Sequence, residues 1–444
     1  MVREALEAVA GGTAGRQART DARGLPFPAT SVMLVITAAL PPFYFVRWHF
    51  GWYPTTVLEV AVLVTVATFA VECLWRREVP AWWSAPFTIP TLLFLAAGAA
   101  AVLHSPVRIS ALGLYRAFLL EPVAIALVMV TVVRTSRQAW AIVAGLWVGG
   151  AVLAIANIGA FVSAVLRHDM DVRVSGPVAL YTSANSVALY LVPLVALAAG
   201  GLLHARERMV RVASGAFLVI GLSASILTYS RGGWLAIGAA ALVLALSHRL
   251  RWWLLGGITA GVAAVAAVPS VRRRVLLEFQ PGAANTADPR LHLYSVTLRI
   301  LQHNPILGTG LAALHQAVVP LWGPGNPWWV LYAHNLALSL WVELGLGGLI
   351  SFAWIFGAVA FVSWRAWRQG TLDWRPLHVG VLGALAAIFV HGLVDTPYFG
   401  NDLSLQFWAL VALSWVGRLR PREDEVDGRA TAPGDAPALG EAMP

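Results

Sequence analysis

Long apolar runs dominate this chain and restrict it to one kind of fold. A helix needs about 20 mostly apolar residues to cross a bilayer. Twelve such runs are readable: 30–46, 54–73, 86–103, 113–133, 139–165, 178–203, 210–228, 232–247, 252–269, 336–362, 377–394 and 403–417. They are continuous rather than alternating, which selects helices over a barrel, the only two structures that satisfy every backbone polar group in lipid. The composition agrees. Of 444 residues 58% are hydrophobic and 12% charged, with a mean hydropathy of +0.70, and a soluble domain would carry about twice that charge. The expectation is an all-α, polytopic integral membrane protein with about 12 spans.

Arginine sets the orientation. All 31 basic residues are arginine. A choice so uniform reads as base composition, so an arginine argues for phosphate binding only where its position is unusual. With the N-terminus in the cytoplasm, 20 arginines fall inside and five in short outer loops: Arg47, Arg108, Arg167, Arg173 and Arg231. Five more lie in one long loop, and Arg116 lies within a span. This split obeys the positive-inside rule, makes both termini cytoplasmic and explains a pI near 10.4 without nucleic acid.

The expected organisation is a cytoplasmic tail (1–28), spans one to nine (29–269), one extracytoplasmic loop (270–335), spans ten to twelve (336–417) and a disordered acidic cytoplasmic tail (418–444). The first 24 residues lack the apolar core of a signal peptide, so the first span is expected to be uncleaved. Cys73 is the only cysteine, which rules out an intramolecular disulfide and disfavours a cysteine metal site. Trp82-Trp83, Trp252-Trp253 and Trp328-Trp329 sit at span ends as interfacial belts.

The outer side holds the candidate chemistry. Arg231, in Tyr229-Ser230-Arg231-Gly232-Gly233, sits where two spans almost touch. It reads either as a headgroup-snorkelling guanidinium or as a fork for a diphosphate. In the long loop, Asp288-Pro289-Arg290 reads as a helix start, with Asp288 as cap and Arg290 in a first turn that favours anions. Leu291, Tyr294, Leu298 and Leu301 share one face of this amphipathic helix; His292, Ser295, Arg299 and Gln302 share another. The helix should end before Pro305, and Gly308-Thr309-Gly310 should turn the chain back to the membrane.

His334 opens the tenth span. It is a candidate base or a histidine bonded at a helix end. Glu343 lies nine residues on, on the opposite helix face, and is expected to pair with another helix while Gly345, Gly347 and Gly348 permit close packing. Arg116 and Glu121 are five apart, off one face, and each should bond a neighbouring helix, as should Glu59; Glu121-Pro122 suggests a kink. His391 and Asp395 could form a second polar cluster or a structural pair. Asp169-Met170-Asp171 looks metal-binding, but Arg167 and Arg173 neutralise it, and no metal site is expected. There is no hydrolase elbow.

Taken in order, these motifs resemble the O-antigen ligase and O-antigen polymerase family. The carriers are Tyr229-Ser230-Arg231-Gly232-Gly233-Trp234, Asn304-Pro305-Ile306-Leu307-Gly308-Thr309-Gly310, and His334-Asn335 followed by Glu343-Leu344-Gly345-Leu346-Gly347-Gly348. Ser183-Ala184-Asn185-Ser186-Val187-Ala188 resembles an upstream motif, and His391-Gly392-Leu393-Val394-Asp395 a late one. The likeness covers roughly 175–415; the first four spans match only in hydropathy and in the Arg116–Glu121 pattern.

The resemblance implies a GT-C-like glycosyltransferase in the bacterial cytoplasmic membrane. It would move a glycan from undecaprenyl diphosphate to an acceptor hydroxyl on the outer face, with no cofactor and no metal. Carried over by motif, Arg231 and Arg290 would hold the diphosphate and His334 would activate the acceptor. Asp395, Glu343, Arg116, Glu121 and Arg299 would support the site. The acceptor could be a glycan, a lipid or a protein, so ligase, polymerase and protein glycosyltransferase all stand. The competing classes are a transporter or flippase of lipid-linked sugars and an assembly partner without chemistry.

Overall fold

The computed structural model describes residues 27–51, 53–80, 87–169, 176–276, 287–323, 330–370 and 372–416. The extreme tails, Trp82-Trp83, Trp328-Trp329 and Met170-Asp171 of the aspartate loop lie outside them. The described chain is mostly helical. It opens with α1 (Pro28–Ala39), a hairpin of β1 (Arg47–Phe50) and β2 (Tyr53–Thr56), then α2 (Val57–Arg76), α3 (Thr88–His104), α4 (Arg108–Val132), α5 (Ser136–Leu166), α6 (Ala184–His204) and α7 (Arg208–Leu227). After these come α8 (Arg231–Ser247), α9 (Arg251–Ala267), α10 (Pro269–Leu276), α11 (Ala287–His303), α12 (Leu314–Val318), α13 (Leu336–Gln369), α14 (Arg375–Gly392) and α15 (Asn401–Trp415).

Seven of these, α2, α4, α5, α6, α7, α13 and α14, are long and apolar enough to cross a membrane, and α1, α3 and α8 are shorter apolar helices. The chain is a multi-pass membrane protein. Two expected spans are shortened. The first stops at Ala39 because Pro41-Pro42 cannot continue a helix; a 3-10 turn and the hairpin follow, neither of them expected. The sixth starts only at Ala184, where the Ser183 hydroxyl accepts the amide of Ser186 at 3.1 Å and caps the helix.

Helices α6, α14 and α15 form the centre. α6 packs against α7, α8 and α14; α14 also packs on α8 and α13, and α15 on α4. Small residues bring the backbones together: a β-carbon added at Gly200 of α6 would lie 2.7 Å from the α-carbon of Gly380 in α14. At the other extreme α9 has no buried residue among those whose side chains are described, with Trp252 and Trp253 open at its start.

α4 departs from regular geometry between Arg116 and Leu120, a single π-turn closed by the amide of Glu121 on the carbonyl of Arg116. This corrects the expectation for two charges. On an α-helix, five residues place Arg116 and Glu121 about 140° apart. The wider π-turn brings i and i+5 together. Arg116 Nε lies 3.1 Å from Glu121 Oε1, and Nη1 lies 2.6 Å from Glu59 of α2. One arginine thus bridges two buried carboxylates, and it also lies 4.9 Å over the Tyr53 ring.

α13 is broken at Gly345, whose φ of +70° and ψ of −179° suit glycine alone. The break is filled by the long loop. In an unbroken helix the amide of Leu346 would bond the carbonyl of Val342. Here it donates to Ile306 O at 2.8 Å, and Val342 O instead receives the amide of Thr309 at 2.7 Å. Gly308 and Gly310 both have positive φ, and a β-carbon at Gly308 would collide with Val342 O. Glu343 completes the joint, accepting the amide of Ala312 at 2.6 Å; its partner is the loop and not another helix. Of the three glycines expected to permit packing, Gly345 is the one pressed on another segment's backbone, at Ile306 O, while Gly347 has only an ordinary contact with Ala97.

Loop contacts sort the connections into two groups. Ser105 reaches Leu311, Tyr181 reaches Asp402, and Gly176 reaches Thr228, all at the end carrying α11. Ser136, Arg206, Glu207 and Asp373 line one pocket at the other end.

Candidate functional site

Asp395 is the centre of the site. It follows the C-terminus of α14, where its amide bonds His391 O at 2.9 Å, and its side chain is buried. Four groups converge on its two oxygens. Oδ1 receives the amide of Thr396 at 2.9 Å and faces His334 Nδ1 at 3.2 Å. Oδ2 receives Asn185 Nδ2 at 2.9 Å and faces Arg290 Nη2 at 3.7 Å. Burial alone would push this carboxyl up. The hydrogen bond from His334 and the charges of His334, Arg290 and His391 outweigh it and hold the group at about 2.

The network continues into α8. Asn185, in the first turn of α6, accepts the Ser230 hydroxyl on Oδ1 at 2.8 Å while donating to Asp395, so both ends of its amide are used. Ser230 also caps α8, accepting the amide of Gly233 at 3.1 Å, which makes Arg231 the first helical residue. On its other side Gly232 packs on the His391 ring, where an added β-carbon would lie 2.8 Å from Cδ2. Half-buried Arg231 therefore stands between two members of the Asp395 network, at a helix N-terminus whose amides and dipole favour an anion.

His334 stands just ahead of α13, as the span boundary at 336 had placed it. Asn335 caps the helix, accepting the amide of Leu338 at 3.0 Å, and His334 precedes it with φ +49°. Tyr229, two residues before Arg231, has φ +54°. Left-handed conformations are costly for such residues and persist where the surroundings enforce them. For His334 the enforcement is visible: its carbonyl accepts the Tyr294 hydroxyl at 2.7 Å, and Asn335 donates to Leu393 O at 3.0 Å. Burial pushes the Tyr294 phenol up, which keeps it a donor.

α11 supplies Tyr294 and Arg290, but by a different face from the one expected. Its buried residues are Leu293, Val296, Thr297, Ile300 and Leu301, whereas Leu291 is 61% and Leu298 44% exposed. Two overlapping sets of apolar positions share helical spacing, and packing against α12, Val330 and Val342 selects the second. The helix also begins at Ala287, so Asp288 lies in the first turn rather than capping it.

The expected residues therefore divide. His334, Arg290 and Asp395 are in contact, and Arg231 adjoins them through Ser230 and Gly232. His391 and Asp395 belong to this cluster and not to a second one. Glu343 locks the loop; Arg116 and Glu121 form their own group; Arg299 is exposed. Asn185, Ser230 and Tyr294 were not expected to take part. Asn185 lay in a motif already noted, but nothing in the sequence joins it to a residue 210 positions away.

Chemically, an ionised carboxylate can only accept, so His334 Nδ1 donates to Asp395 and Nε2 is the basic nitrogen of the ring. Two guanidiniums nearby suit an anionic group. Among the described residues no three His, Cys, Asp or Glu side chains gather as metal ligands would.

A polytopic helical membrane protein with one loop clamped over a histidine–carboxylate–arginine cluster is the class these features define. The family model of O-antigen ligase matches residues 216–353, from α7 through Arg231, Arg290 and His334 into α13. Over this segment, somewhat under a third of the chain, the protein is similar to the O-antigen ligase family. Asn185 and Asp395 lie outside the matched stretch yet bind residues within it. No curated protein matches the chain.

Proposed function

We propose that this membrane protein of the O-antigen ligase type transfers a glycan from a polyprenyl diphosphate, undecaprenyl diphosphate in bacteria, to an acceptor hydroxyl on the outer face of the cytoplasmic membrane. The observation that carries the reading is the hydrogen-bonded pair of His334 and Asp395 beside Arg290, with Arg231 one residue from the same network. His334 Nε2 takes the proton of the acceptor hydroxyl, whose oxygen attacks the anomeric carbon. The bond from that carbon to the diphosphate oxygen breaks, and its electron pair leaves on the diphosphate. Arg231 and Arg290 meet that charge as it develops, where preorganised donors act most strongly. Asp395 fixes the ring tautomer and stabilises the imidazolium.

Arg290 already pairs with Asp395, so a bound diphosphate shares it. A direct displacement inverts the anomeric configuration. The test is incubation of the purified protein with a lipid-linked oligosaccharide and candidate acceptors. A single product indicates ligation and a ladder polymerisation; no transfer to glycan, lipid or protein acceptors removes the proposal.

A further inference from the structure

The residue four positions after Phe118 is Pro122, which lacks an amide proton and crowds the carbonyl it would have bonded. α4 accommodates this with the π-turn over Arg116–Leu120. The Phe118 carbonyl is then taken from outside the helix: the Tyr398 hydroxyl donates to it at 2.7 Å. Tyr398 is fully buried three residues after Asp395, and Trp408 Nε1 donates to the same hydroxyl at 3.1 Å. The adjoining Phe399 stacks on Tyr332 at 5.1 Å, two residues before His334, and its ring meets Phe118 edge-on at 6.3 Å. Both chain segments that present the Asp395–His334 pair therefore rest on one irregular turn. The bridge from Arg116 to Glu59 and Glu121 spans that turn and joins it to α2.

We infer that the proline-made π-turn of α4, held by Arg116, positions the Asp395–His334 pair through Tyr398, which makes Tyr398, Pro122 and Arg116 positioning residues of the site. The inference rests on the glycan-transfer reading. Its structural half stands by itself: without the Tyr398 contact the 395–400 turn loosens.

Two variants separate positioning from plain stability. Tyr398→Phe removes the hydroxyl. Pro122→Ala returns an amide proton to the Phe118 carbonyl, which lets α4 close and releases Tyr398, while removing a helix breaker. Each purified variant is assayed for transfer from a lipid-linked oligosaccharide and for hydrogen exchange over residues 393–400. Both should lower kcat about 10- to 100-fold with donor KM unchanged, the scale of a small misplacement of reacting groups. Both should speed exchange at the Asp395 and Thr396 amides about tenfold or more, the mark of local opening. Pro122→Ala should do so without lowering the melting temperature, a combination that a merely structural role does not produce. Wild-type kcat and exchange in both variants overturn the inference, as does a kcat loss matched by loss of folded protein. If wild type transfers nothing, the glycan-transfer reading fails, and exchange alone decides whether Tyr398 holds the turn.

Discussion

At the scale of the residue, Asp395 determines what its neighbours can do. Asp395→Asn keeps the shape of the side chain but removes the charge that fixes the His334 tautomer and faces Arg290. We expect glycan transfer to fall roughly 100- to 10,000-fold, the range seen when the partner of a catalytic histidine is neutralised. Protein level and elution on size exclusion should stay normal; transfer at the wild-type rate would remove Asp395 from the mechanism. Its titration makes a second prediction. The folded group titrates at about 2, below the ordinary 3.8, so its ionisation stabilises the fold fully above about pH 4 and ceases to do so as pH falls through 2. The contribution is on the order of 2 kcal/mol. Melting curves in detergent from pH 5 to 2 should fall more steeply for wild type than for Asp395→Asn; parallel curves would show that the pairing does not stabilise the fold.

At the scale of the element, the break in α13 was the least legible feature and the most consequential. Gly345-Leu346-Gly347-Gly348 reads as a small-residue packing surface, and hydropathy runs through it without a pause. What interrupts the helix is a hydrogen-bond exchange with Ile306 and Thr309, more than 30 residues away. Gly345→Ala forces a side chain into a glycine-only conformation and onto Ile306 O. We expect a cost of about 1–3 kcal/mol and faster proteolysis between Asn304 and Ala312, seen by limited digestion. An unchanged digestion pattern would mean that the joint tolerates a β-carbon.

The same lesson holds elsewhere among the elements. Caps at Ser183, Ser230 and Asn335 set three helix starts, and hydropathy alone missed the first of them by beginning the sixth span at 178. The buried face of α11 could not be read, because two apolar registers compete and tertiary contact chooses between them. Arg116 and Glu121 looked mismatched because α-helical spacing was assumed across a segment whose proline forces a wider turn.

For the whole molecule, the helical membrane class was readable from the apolar runs, and the motif order pointed to the same O-antigen ligase likeness that the family model carries over residues 216–353. The assembly of the site was not readable. Asn185, Ser230, Arg290, His334 and Asp395 come from five separate places in the chain, and only helix packing makes them neighbours. Sidedness gives a further prediction. With Cys73 replaced by serine, a cysteine at exposed Ser295 of α11 should react with a membrane-impermeant maleimide in intact cells, and one at Asp373 should react only after permeabilisation. The reverse pattern would invert the topology and place the site in the cytoplasm.

The exchange of backbone bonds between the loop and α13 also bears on how such proteins can be recombined. A loop that only covered a helix could be transplanted between relatives as a cassette. This one supplies hydrogen bonds that α13 has surrendered, so the two are one piece of architecture. A chimera grafted over residues 270–335 alone would match foreign donors to a native break. One extended through Gly348 would carry both halves of the joint.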